Sequence, residues 1–416
     1  MENYCKHIDE TIIKKTLPFG LNCIIIPKEL YGEKRAAISI NYGSVDSVFL
    51  CENTEFTSPK GTAHFLEHKL FDNDESSAFD SFAKLGSYVN AYTSFNSTAY
   101  YFSCFDNYGE SLRTLLDFVL NPYFTEDTVQ KEMGIIEQEI NMYEDNPGWA
   151  VYFLMLSCLY KNHTAKDSIA GSAESVKEIT KDILYKCYQN FYVPENMYLI
   201  CAGDIDREET LEICGNAFRN SGRRAETVIG YESENVNANQ AAAKMKISKP
   251  LFQIGFKNTD FDNQVLNSVK YKVMLDLLIG ESSSLREDLI QEGLSGDEIG
   301  FDYISGGSYG YASISGRSRE PFKFLEKCRS RADKISQNGF LEADFNRIKG
   351  KYLGRFIRGF NSVEAIITGA AELAQYGADL SDAYEMYEKL DINHVNELVK
   401  DCFKEDKYCM AVIQPE

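Results

Sequence analysis

No run of this chain approaches the roughly eighteen consecutive apolar residues that a membrane-spanning helix needs. The opening Met1-Glu2-Asn3-Tyr4-Cys5-Lys6-His7 carries no apolar core of the kind a signal peptide has. Basic residues fall short of acidic ones, 43 against 63, for a formal charge of −20. A surface that acidic repels phosphate backbones and anionic lipids, which argues against a nucleic-acid or membrane partner. It is compatible with a basic peptide. The eleven cysteines are scattered and form no C-x-x-C pair. They read as reduced, mostly buried thiols of a cytoplasmic protein, with neither a disulfide frame nor a cysteine zinc site. The Gly306-Gly307 stretch lacks the strand–G-x-G-x-x-G–helix setting of a nucleotide loop. The 416 residues suffice for two domains of ordinary size.

Histidine is also scarce. There are five, and two of them stand four apart in His64-Phe65-Leu66-Glu67-His68. On a helix, positions i and i+4 share a face, so both imidazoles can point at one metal ion. Glu67 lies close to the same face. Two neutral imidazoles and a neighbouring carboxylate supply two ligands and a general base for the water on a catalytic zinc. The order H-x-x-E-H is the inverse of the commoner H-E-x-x-H and marks inverzincins. His163 and His394 read as loop or surface residues.

The spacing predicts strands over Leu21 to Ile26 and Ala36 to Asn41, then a polar loop over Cys51 to Lys60. Gly61-Thr62 opens a helix through Phe71, and Ser76 to Leu85 reads as a second. Ser87 to Thr93 and Ala99 to Phe105 form a strand pair around the turn Ser94-Phe95-Asn96-Ser97. Thr125 caps a long acidic helix that runs to about Glu144 and is broken by Asp145-Asn146-Pro147-Gly148. The polar stretch 216–245 is the linker candidate, dividing a first domain (1–215) from a second (246–416). Each half closes on the same pattern of N-cap, helix and strand, at Ile179 to Ala202 and at Leu390 to Ile413.

A catalytic zinc needs a third protein ligand and an open position. On the acidic helix, Glu132 and Glu139 are two turns apart and share one face at about 100° per residue. Met133, Ile136 and Ile140 flank that face, and a carboxylate there calls for a cation. Glu137 falls on another side.

The run Gly61-Thr62-Ala63-His64-Phe65-Leu66-Glu67-His68-Lys69-Leu70-Phe71 resembles the metal-binding helix of the pitrilysin/insulinase family of zinc peptidases. Glu132-Met133-Gly134-Ile135-Ile136-Glu137-Gln138-Glu139-Ile140 resembles that family's second signature, and Asn90-Ala91-Tyr92-Thr93 its substrate-bearing edge strand. The layout is most similar to the half-length bacterial members. The resemblance implies one Zn²⁺ per chain on His64, His68 and Glu139, with Glu67 as general base. Glu132 would hold a ligand or tune the base. Asn90, Ala91, Tyr92 and Thr93 would hold a peptide against the strand. The interval from His68 to Glu139 is shorter than the family's usual one, which implies a trimmed intervening loop. The family also steadies the oxyanion with an Arg and a Tyr from the second half. No matching pair is found here, and Tyr309 and Tyr311 are the candidates in that region.

The expected fold is α+β, built of two homologous α/β-roll halves, each a mainly antiparallel sheet with helices packed on one face. The expected activity is zinc-dependent endopeptidase or oligopeptidase cleavage of unfolded peptides. The expected assembly is a dimer, with itself or with a related chain. The alternative is a non-catalytic scaffold or binding subunit on the same fold.

Overall fold

The computed structural model describes residues 2–5, 8–71, 77–218, 221–296 and 298–416. Ser76, the expected first residue of the second helix, lies outside them, and that helix is observed over Ala78–Leu85. The strands in chain order are β1 (Glu2–Cys5), β2 (Glu10–Thr16), β3 (Asn22–Pro27), β4 (Lys34–Ile40), β5 (Val48–Cys51), β6 (Thr54–Thr57), β7 (Tyr88–Thr93), β8 (Thr98–Cys104), β9 (Met197–Gly203), β10 (Gln240–Met245), β11 (Leu251–Asn258), β12 (Ile299–Ser305), β13 (Gly310–Arg317) and β14 (Tyr408–Pro415).

Seven strands form one sheet in the order β1-β2-β3-β9-β4-β8-β7, and five form another in the order β10-β14-β11-β13-β12. Their pairings repeat. In the first sheet β3 and β9 are parallel, while β9–β4, β4–β8 and β8–β7 are antiparallel. In the second, β10 and β14 are parallel, while β14–β11, β11–β13 and β13–β12 are antiparallel. The two halves therefore share one topology. The similarity of their closing segments follows from it: Thr180 and Asp391 both cap helices that lead into a member of the parallel pair, β9 in the first sheet and β14 in the second.

The chain divides into two compact units whose borders differ from the expected 215 and 246. One comprises 1–140, 168–228 and 357–381, and the other 141–167, 229–356 and 382–416. The cause is a pair of apolar helices. Pro147–Leu159 packs on β10, β11 and β14 within the second unit, and Val363–Ala374 packs on β4 and β9 within the first. Helices from the same half cover β4, β7 and β8 as well. The central strands are thus shielded on both faces. Ala36, Ile38 and Ile40 are as buried as Ala37 and Ser39 between them, a continuous run that a half-exposed strand does not show.

The expected linker is also more ordered than its polar composition implies. Leu50 N–H donates to Glu226 O, and Val228 N–H donates to Val48 O. That extends the β5–β6 hairpin, which itself replaces the expected loop over Cys51 to Lys60. Arg224 and Thr227 hold the buried Asp46 carboxylate at 2.9 and 2.5 Å. Gln240–Met245 is strand β10, at a sheet edge with most side chains exposed.

Candidate metal centre

The Thr62–Leu70 helix starts at Gly61, whose φ of 91° sets the entry angle. A β-carbon at Gly61 would stand 2.4 Å from Ala170 O, so only glycine lets the two segments approach. Thr62 donates to Pro59 O, fixing the first turn. Phe65, Leu66 and Leu70 are buried and press the helix onto the first unit's core. His64, Glu67 and His68 project from its remaining face.

The acidic helix, Glu126–Glu144, is held at its start by a reciprocal cap. Thr128 N–H donates to Thr125 Oγ1, and Thr125 N–H donates to Thr128 Oγ1. Ile136 and Ile140 are buried, and Glu132 and Glu139 turn to the histidines together. Glu137 instead pairs with Lys177 at 2.6 Å, on another side of the helix as its phase requires.

The ligand atoms of His64, His68 and Glu139 all lie within 4.8 Å of one another. Glu139 places Oε1 3.8 Å from His64 Nε2 and Oε2 3.5 Å from His68 Nε2. Two ligands of a tetrahedral zinc, each bonded at about 2.0–2.1 Å, stand roughly 3.3 Å apart, so small side-chain shifts suffice. His68 Nδ1 donates to Glu132 Oε1 at 2.9 Å, which leaves the Nε2 lone pair of a neutral ring for the cluster. Burial, reinforced by His68, pushes the His64 pKa down to about 4 against the pull of Glu139 and Glu132. His64 is therefore the neutral imidazole that a metal ligand must be. Burial also lowers His68, but the hydrogen bond to Glu132 and the nearby carboxylates outweigh it and raise its pKa. The donor set fits a divalent metal with two imidazoles and one carboxylate, a combination suited to zinc.

Glu67 is 8% exposed. Burial raises its pKa, and a hydrogen bond from Thr93 opposes the rise. Asn90, Ala91, Tyr92 and Thr93 all lie on β7, the edge strand of the first sheet. The Asn90 side chain accepts from Ala91 N–H and donates to Tyr88 Oη. The Thr93 side chain instead turns to Glu67, a contact that sequence spacing gave no sign of.

Tyr309 and Tyr311 belong to the second unit and are buried in it at 1% exposure each. The Tyr311 hydroxyl bonds that of Tyr152, and both tyrosine rings pack on Tyr160. They are core aromatics of that unit. His163, expected at the surface, is 5% exposed: its Nδ1 accepts from Ala165 N–H, and its Nε2 lies 3.0 Å from Ser308 Oγ.

Family models match both halves: the insulinase domain of peptidase family M16 over residues 36–173, and the family's inactive domain over residues 178–352. The uncharacterized zinc protease YmfH of Bacillus subtilis is 34% identical, covering 99% of this chain and 98% of that protein. The crystal structure of an M16-like peptidase from Alicyclobacillus acidocaldarius superposes with a TM-score of 0.94 at 28% identity, covering 98% of this chain and 99% of that one. The periplasmic protease PqqL of Escherichia coli matches with a TM-score of 0.73 at 18% identity, covering 97% of this chain but 47% of PqqL. The chain belongs to peptidase family M16, the insulinase family.

Proposed function

We propose that this protein is a zinc-dependent endopeptidase or oligopeptidase that hydrolyses peptide bonds of unfolded peptides. The observation that carries the reading is the convergence of His64, His68 and Glu139 with Glu67 buried beside them. A zinc ion held by those three residues would polarise a peptide carbonyl and lower the pKa of a water to about 7. Glu67 would serve there as the general base, taking a proton from water and passing it to the leaving amine. Its raised pKa suits both roles, since a carboxyl that holds its proton more firmly is the better base. Glu132 fixes the His68 ring through Nδ1. The substrate lies extended along the open edge of β7, with main-chain hydrogen bonds at Asn90 and Ala91. A folded protein cannot offer a free strand to that edge.

The name of YmfH supports the zinc-protease reading, as does the family. PqqL, about twice this length, supports a two-chain assembly, and we infer a dimer with a second copy or a related chain. The cytoplasm is the compartment that suits eleven free cysteines. The scaffold alternative draws on the inactive-domain match over the second half. The intact Glu67 speaks against it, because a scaffold has no use for a buried base. The test is a panel of short unfolded peptides incubated with the purified chain, stripped by chelator and reloaded with Zn²⁺. Cleavage lost on stripping and regained with zinc supports the enzyme, and no cleavage in any state sinks it.

A further inference from the structure

We propose that Thr93 is a positioning residue for the base, holding Glu67 in one rotamer from the strand that receives the peptide. The inference deepens the peptidase reading and rests on it.

Thr93 Oγ1 donates to Glu67 Oε2 at 2.7 Å. The direction of that bond follows from proton counting. Thr98 Oγ1, 3.4 Å from Thr93 Oγ1, is committed to donating to Tyr42 O at 2.9 Å. A hydroxyl has one proton, and that of Thr93 goes to the nearer, charged acceptor. Glu67 Oε2 is thereby anchored from the strand, and the bond uses one of the two carboxylate oxygens.

The anchor is stiff. Thr93 pairs with Thr98 in the last register position of the β7–β8 hairpin. The turn beyond is closed by Ser94 N–H donating to Ser97 O at 2.8 Å, and by Ser94 Oγ accepting from Ser97 N–H at 3.0 Å. Threonine is β-branched, so its χ1 is restricted before the bond forms. Strand β7 meanwhile is the last of its sheet, with no strand paired to its outer edge among the described residues. One strand therefore aligns the peptide through its main chain and the base through a side chain, so a shift of the strand moves both together. A bare carboxylate on a helix has no such link to the substrate.

The test compares Thr93→Val, which keeps shape and branching but removes the donor, with Thr93→Ser, which keeps the donor. Thr93→Val is expected to lower kcat about 10- to 100-fold with KM and bound zinc within about twofold of wild type, and Thr93→Ser to recover most of the loss. A KM rise with constant kcat would make Thr93 a substrate contact and overturn the proposal, as would full activity in Thr93→Val. If the wild type cleaves no peptide, the peptidase reading fails by itself. Crystal structures then decide on positioning: Glu67 Oε2 in the same place in wild type and Thr93→Val contradicts it, and a displaced Glu67 supports it.

Discussion

The Nδ1 of His68 donates to the Glu132 carboxylate across 2.9 Å, with Glu139 on the opposite side of the same ring. The imidazole is held between two carboxylates from one helix, two turns apart. One fixes its tautomer and the other completes the ligand set. Replacing Glu132 with Ala is expected to weaken zinc binding about 10- to 100-fold without abolishing it. Competition with a chromogenic chelator measures this. Unchanged affinity would leave Glu132 a plain helix carboxylate.

Metal binding is expected to stabilise the first unit. At a zinc concentration of 100 Kd the gain is about 2.7 kcal/mol. Chelator should lower the melting temperature of the wild type and leave that of His64→Ala unmoved, because that variant has lost a ligand. Calorimetry with and without chelator reads both.

Gly61 has no room for a side chain, since its Cβ would meet Ala170 O at 2.4 Å. Gly61→Ala is expected to cost on the order of 1–3 kcal/mol and to weaken zinc binding, because the cap that orients His64 and His68 must shift. Urea unfolding and metal titration of one preparation check the two effects together.

In the second unit, Lys257 Nζ reaches Glu232 at 2.9 Å, Leu159 O at 2.8 Å and Asn235 O at 3.1 Å. Glu232 also accepts from the backbone N–H groups of Lys161, Asn162 and His163. Burial pulls the Glu232 pKa up, but Lys257 and the three N–H donors outweigh it and hold it down at about 2. Burial also loosens the Lys257 proton, so the carboxylate is the partner that sets the acid limit. A pKa below the ordinary 4.5 means stability fully present above that value and lost as pH falls towards 2. Lys257→Ala strands the buried carboxylate and is expected to cost roughly 3–5 kcal/mol. It should also reduce the acid sensitivity between pH 4.5 and 2, with the three backbone N–H donors keeping the remainder. Urea midpoints across that range check the size and the sign.

Much of the centre is legible in the sequence because local periodicity carries it. His64 and His68 stand four apart, Glu132 and Glu139 seven apart, and Thr125 sits where a cap belongs. Helix phase alone puts each pair on one face. The strand pair around Ser94–Ser97 is visible in its alternation and its turn residues. Long-range packing is not legible. Nothing in Pro147–Leu159 says which sheet will take so apolar a helix, so the unit borders read from the polar stretch at 216–245 miss the exchange. An edge strand such as β10 has exposed side chains and resembles a linker. The Thr93–Glu67 bond joins a strand to a helix 26 residues away, and spacing carries no trace of it. Tyr309 and Tyr311 were chosen by region alone, and both are buried in the second unit.

The most direct measurement is turnover of an unfolded peptide by wild type and Glu67→Gln, each assayed with its zinc content determined on the same sample. The expected result is one zinc per chain in both, cleavage by the wild type, and a loss of at least about 100-fold in the variant. Equal cleavage by the two, or zinc-loaded wild type that cleaves nothing, would contradict Glu67 as the base of a peptidase.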